Sequence, residues 1–219
     1  DPAAHRYALE GSTPYTMWPE GIGVPARMRA YGVRPRLIYL VRDPIERIES
    51  QVNFRRRYSS RRISFRDAHP VDASRYASQL DPYVDTFGRD AVRIVEFDRL
   101  RAEPARVCAE LFGWLGLEPC AIADLSPANE TAKLVRSHLD RALADSDALW
   151  LAGRVLPPAI RRLGRRAARR LVPYRHSEVR LSPARTREIR ELLQVDISRF
   201  AREWGVDVSR WGFDEADVG

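Results

Sequence analysis

Lysine is almost absent from this chain of 219 residues; Lys133 is the only one, and arginine carries nearly all of its positive charge. Cysteine is scarce too. Cys108 and Cys120 are the only two, at a spacing that fits neither a metal site nor a redox motif, which excludes a disulfide framework and points to free thiols in a reducing, cytoplasmic compartment. Long apolar runs are missing, so no segment reads as a membrane span, and the start, Asp1-Pro2-Ala3-Ala4-His5, lacks the basic stretch and apolar core of a signal peptide. Hydrophobic residues at 44% and charged residues at 31% exclude wholesale disorder and a fibrous class. One domain over residues 1–219 is the natural expectation. The net charge of +7 favours anionic partners, without choosing among nucleotide, glycan, nucleic acid and membrane surface.

The most informative stretch is Arg36 to Ser50, RLIYLVRDPIERIES. Leu37 to Val41 form a short apolar run rich in β-formers, which predicts a strand buried on both faces of a parallel sheet. Asp43 suits a helix N-cap and Pro44 the first helical position, so a helix is predicted from there towards Arg57. Arg42 then lies at the carboxyl end of a strand beside a helix N-terminus, a combination that favours phosphate. Ser50 follows about two turns into the helix, roughly 10 Å along its axis, a gap a long arginine partly closes. The ordinary alternative is an Asp-Pro helix start with no ligand, in which Asp43 pairs with Arg47.

Around this motif the pattern is strand, helix, strand, helix. A short helix is predicted from Pro25 to Tyr31, a solvated connection over Tyr58 to Pro70, and a helix from Asp72 to Phe87 that stops at Gly88. Val92 to Phe97 reads as a second strand and Pro104 to Leu115 as a helix with Val107, Cys108, Leu111 and Leu115 inward. Ser182 to Trp204 is the last strong helix, with Ile189, Leu192, Leu193, Ile197 and Phe200 along one side. The order predicts an α/β fold, a parallel sheet flanked by helices. Arginine pairs recur over 154–175, a basic helical segment for which a solvated surface is favoured over polyanion binding or association with a membrane.

The Arg36 to Ser50 segment resembles the 3′-phosphate-binding motif of PAPS-dependent sulfotransferases, in which a strand ends in Arg-Asp-Pro and a serine follows eight positions after the arginine. Arg42 and Ser50 occupy those positions. Upstream, Leu9-Glu10-Gly11-Ser12-Thr13-Pro14-Tyr15 resembles the acceptor-side segment of bacterial and heparan-type sulfotransferases. The resemblance implies that Glu10 is the general base and that Tyr15 lies beside the acceptor. A carboxylate suits that work if a partly dehydrated cleft raises its pKa. Ser74-Arg75-Tyr76-Ala77-Ser78-Gln79-Leu80, Glu96-Phe97-Asp98 and Phe112-Gly113-Trp114-Leu115-Gly116 also match the family's pattern. Tyr76 is thereby a second candidate beside the acceptor, although an aromatic on an inward helix face is more often core. Lys133 and Arg136 fall where the family places a loop over the nucleotide.

The resemblance implies a P-loop nucleotide-kinase-like fold, PAPS as sulfuryl donor with PAP as product, a hydroxyl- or amine-bearing small molecule or glycan as acceptor, and neither metal nor specific nucleic acid. Carbohydrate is slightly favoured as acceptor by analogy with the heparan-type branch. One departure matters. Family members carry a glycine-rich phosphate loop whose amides cradle the 5′-phosphosulfate and whose lysine stabilises the leaving oxygen. No such loop is visible here, and the sole lysine is far downstream at Lys133, so the N-terminal strand and phosphate loop are expected to be missing. The alternative function is a non-catalytic PAP- or polyanion-binding module derived from the same fold.

Overall fold

The computed structural model describes residues 5–58, 68–120, 122 and 180–213. The chain clusters into two compact units, one formed by Asp1–Val52, Ile63–Ala121 and Arg180–Gly219, the other by Asn53–Arg62 and Ile122–Val179. Nearly all described residues belong to the first. Lys133, Arg136 and the arginine-rich segment 154–175 lie outside the described residues.

The described elements run α1 (Val24–Ala30), β1 (Leu37–Val41), α2 (Pro44–Tyr58), α3 (Ala68–Asp72), α4 (Tyr76–Phe87), β2 (Val92–Glu96), α5 (Phe97–Ala102), α6 (Pro104–Leu115) and α7 (Pro183–Trp204). β1 and β2 pair in parallel, in register from Leu37 opposite Val92 to Val41 opposite Glu96. The connection between them carries α2, α3 and α4, since parallel neighbours require a crossover. No described helix is long and apolar enough to cross a membrane.

The sheet differs from expectation in one respect. Leu37, Tyr39 and Val41 face a core built with Ile45, Ile48 and Val52 of α2, Tyr76 and Leu80 of α4, and Ile189, Leu193, Ile197 and Phe200 of α7. Ile38 and Leu40 point the other way and remain 43% and 48% exposed. The strand is therefore buried on one face, because the described core gathers α2, α4 and α7 on that side alone.

The helix expected from Asp72 to Phe87 is two pieces. α3 stops at Asp72, and α4 begins at Tyr76, where Asp196 of α7 supplies the side-chain cap that the N-cap residue Arg75 does not. The Asp196 carboxylate accepts hydrogen bonds from the amides of Ala77 and Ser78 at 3.1 and 3.0 Å and from the Ser78 hydroxyl at 2.6 Å. Those are orphan donors of a first helical turn, so a buried acid from α7 fixes where α4 starts. In α7, Leu192 is exposed, because it sits about 100° around the helix from Leu193, on the edge of the stripe. In α6 only Val107 of the four residues expected inward is buried.

Tyr76 is the centre of the aromatic core. Its ring meets Tyr39, Phe200 and Trp211 edge-on, with centroids 6.0, 5.4 and 6.3 Å away. Each such pair adds about 0.5–1.5 kcal/mol beyond burial. α2 is tied to the start of α7 by Glu49, whose carboxylate accepts from the Leu181 amide at 2.8 Å and from Arg180 at 3.1 Å.

Candidate functional site

The site is built around the turn that ends β1. Asp43 caps α2, its carboxylate Oδ1 accepting from the Ile45 amide at 2.7 Å. Burial raises its pKa above the ordinary carboxylate value, while bonds from the Ile45 and Glu46 amides and the charge of Arg190 pull the other way. The expected Asp43–Arg47 side-chain pair does not form. Arg47 instead donates to Gln51 at 3.2 Å and to Ser74 at 3.1 Å, binding α2 to the turn before α4.

Arg42 leaves the strand with its guanidinium 5.1 Å from the centre of the Phe97 ring, and Nη2 donates to Glu46 Oε2 at 2.5 Å. Its Nε is buried and has no hydrogen-bond partner. An unpaired charged donor at a helix N-terminus is a position an anion would satisfy, so the residues present fit a phosphate. Glu46 competes for the same arginine. Ser50, one turn beyond Glu46, is exposed, so Arg42, Glu46 and Ser50 follow one another at four-residue intervals along the start of α2.

The backbone under Arg42 is fixed from the core. Tyr76 donates its hydroxyl to the Arg42 carbonyl oxygen at 2.7 Å, and burial pushes the phenol up to about 12. With the residue 1% exposed, the ring packs in the core instead of lining a cleft, which corrects its expected place beside an acceptor. Its inward helical position and the adjacent Tyr39, Phe200 and Trp211 account for this.

Glu10 lies at the surface, where the Ser12 hydroxyl donates to its Oε1 at 2.6 Å. The side chain is open to solvent and does not sit in the partly dehydrated cleft expected of a general base. Glu10 does not pair with Arg6, four residues upstream: Arg6 donates to the Gly116 carbonyl at 2.6 Å and Tyr7 to that of Leu115 at 2.9 Å, holding this segment to the end of α6. Tyr15, five residues on, does line a cavity, and its carbonyl accepts from the Tyr83 hydroxyl at 2.5 Å.

Two residues of this neighbourhood escaped the sequence reading. Glu46 was visible in principle, four positions after Arg42. Arg190 was not, since it arrives from α7; it acts on Asp43 electrostatically, and its Nε is buried without a partner. Its guanidinium lies where a side chain at Gly212 would meet it, a Cβ there being 2.8 Å from Cζ.

The fold that positions these residues has a counterpart among solved structures. The chain is similar to the crystal structure of a sulfotransferase from Alicyclobacillus acidocaldarius, with a TM-score of 0.58 at 17% sequence identity over 90% of this chain. The fold is that of a sulfotransferase. This sulfotransferase-like chain spans 64% of the length of that neighbour. No family model matches it, and no curated protein does.

Proposed function

We propose that this chain is the nucleotide- and acceptor-binding part of a PAPS-dependent sulfotransferase, which moves a sulfuryl group to a hydroxyl or amine. The observation that carries the reading is Arg42, whose buried, unpartnered Nε stands at the carboxyl end of β1 beside the N-terminus of α2, in a sulfotransferase fold. Arg42 and Ser50 would hold the 3′-phosphate of PAPS; Lys133 and Arg136, outside the described residues, are further candidates for it by the family resemblance alone. The α2 amides supply the partial positive charge that a helix N-terminus offers an anion.

In this proposal Glu10 accepts the proton of the attacking hydroxyl or amine as the oxygen–sulfur or nitrogen–sulfur bond forms, and PAP leaves with the electrons of the broken phosphate oxygen–sulfur bond. Ser12 keeps the carboxylate oriented by donating to one of its oxygens. A bound acceptor would supply the dehydration that Glu10 lacks at the surface. Cys108 and Cys120 are both free thiols, which suits a cytoplasmic setting.

The test is calorimetric titration of the chain with PAP and with AMP. Binding of PAP at least about tenfold tighter than AMP, lost in Arg42→Ala, is expected for a site that reads the 3′-phosphate. Equal affinity for both nucleotides would overturn the assignment.

A further inference from the structure

The cavity lined by Tyr15 is about 440 Å³, within the size range of small-molecule sites. It lies between the segment that follows Glu10 and the α3–α4 region, and its wall is largely apolar: Tyr15, Trp18, Ile22, Pro82 and Tyr83. Of the polar side chains that also reach it, Ser78, Gln79, Arg75 and Asp72 are already engaged. Ser78 gives its hydroxyl to Asp196 at 2.6 Å. Gln79 donates to the Asp72 carbonyl at 2.9 Å and accepts from the Tyr39 hydroxyl at 3.3 Å. Arg75 is paired with Asp72 at 3.2 Å and donates to the Leu192 carbonyl at 3.1 Å, so the lining's one arginine and one aspartate cancel. Trp18 and Ile22, by contrast, leave apolar surface open, at 55% and 54% exposure.

We propose that this cavity binds an uncharged, ring-bearing apolar molecule, a phenol or a similar aromatic alcohol, and that this is the acceptor class of the site. The inference rests on the sulfotransferase reading for the word acceptor, but the binding itself does not. A ring between Trp18 and the Tyr15–Tyr83 wall gains aromatic contact and covers the exposed Trp18 and Ile22 surface. A sulfated or carboxylated glycan would bring charge against an arginine already neutralised by Asp72, and its many hydroxyls would be desolvated against a largely apolar wall that offers few polar partners. In this proposal an aromatic alcohol stands where the sequence slightly favoured carbohydrate. Glu10 precedes Tyr15 by five residues, so its backbone is at most about 18 Å away along the chain, within reach of a molecule that spans the cavity mouth.

The experiment is titration of the chain with 2-naphthol in the absence of nucleotide, beside a sulfated disaccharide, in the parent protein and in Trp18→Ala and Ile22→Asp. Both substitutions are at exposed positions, and thermal melting confirms that the variants are folded. Saturable naphthol binding, weakened about fivefold or more in each variant and tighter than the disaccharide, is the expected result. No saturation by about 1 mM, equal affinity in parent and variants, or a preference for the disaccharide would overturn the inference. A parallel PAP titration separates the two readings: PAP binding without naphthol binding removes only the pocket's assignment, and naphthol binding without PAP binding removes only the sulfotransferase reading.

Discussion

The Tyr76 hydroxyl holds the carbonyl oxygen of Arg42 at 2.7 Å, so the residue proposed to meet the nucleotide is positioned by one from the middle of the core. The same tyrosine begins α4, whose first turn is capped by Asp196 of α7. The end of β1, the start of α4 and the middle of α7 are therefore one mechanical unit. Disturbing any of the three should be felt at Arg42.

Tyr76→Phe keeps the ring and removes the donor. The Arg42 carbonyl would be left short of a partner, at a cost of about 1–2 kcal/mol in urea unfolding. PAP affinity should fall severalfold in the same variant, since the strand end is no longer pinned. An unchanged PAP affinity alongside the stability loss would show that the bond serves the core alone.

Much of this frame was legible in the sequence. β1 occupies the predicted Leu37 to Val41, α2 begins at the Asp43-Pro44 signal, and α7 begins at Pro183 after Ser182, whose side chain accepts from the Arg185 amide. Those features are local: an apolar run, a cap, a proline at the first position. What could not be read is non-local. The break between α3 and α4 depends on Asp196, more than a hundred residues downstream, and Arg190 reaches Asp43 only because α7 folds back. Ile38 and Leu40 satisfied the pattern of a doubly buried strand, but periodicity does not reveal how many layers will cover it.

Gly212 has φ of 72° and leaves room for Arg190. Alanine there pays for the left-handed conformation, about 1 kcal/mol, and also drives its Cβ against the guanidinium. Gly212→Ala should therefore destabilise the protein by about 1–2 kcal/mol. In an Arg190→Ala background the same change should cost less, leaving a coupling of about 0.5 kcal/mol or more in a double-mutant cycle. Additive losses would mean that the two residues do not constrain one another.

Asp43 makes stability depend on pH in an unusual direction for a carboxylate. Its folded pKa lies above the ordinary 3.8, so the stabilisation of its neutral form is complete below that value and is lost as the pH rises through the folded pKa. Asp43→Asn keeps an oxygen for the Ile45 amide and cannot ionise. The stability of the parent minus that of the variant should decrease as the pH is raised from about 3.5 to 7. Denaturant midpoints across that range test it, and an increase would show that the Ile45 and Glu46 amides together with Arg190 outweigh burial.

For Glu10 the relevant measurement is the separation of turnover from binding. In a preparation active in transfer, Glu10→Gln should lower kcat by about 10²–10⁴ while leaving PAP affinity within about twofold. Parallel losses in both would place Glu10 in the architecture of the segment, where Ser12 already holds it.

Glu46 offers the sharpest test of the nucleotide site, because its carboxylate occupies the arginine that the phosphate needs. The Arg42–Glu46 pair is partly exposed, at 25% and 50% of the side chains, so its own worth is small, at most about 1 kcal/mol. A 3′-phosphate arriving at Arg42 must displace that carboxylate or accept its repulsion. Glu46→Gln removes both penalties and leaves the helix otherwise intact, so PAP should bind about three- to tenfold tighter, with AMP scarcely affected. The gain should shrink as salt is added, since it is electrostatic and near the surface. Weaker PAP binding in this variant would instead mean that Glu46 holds Arg42 in the conformation the phosphate recognises. It would then be a positioning residue of the site and not its competitor.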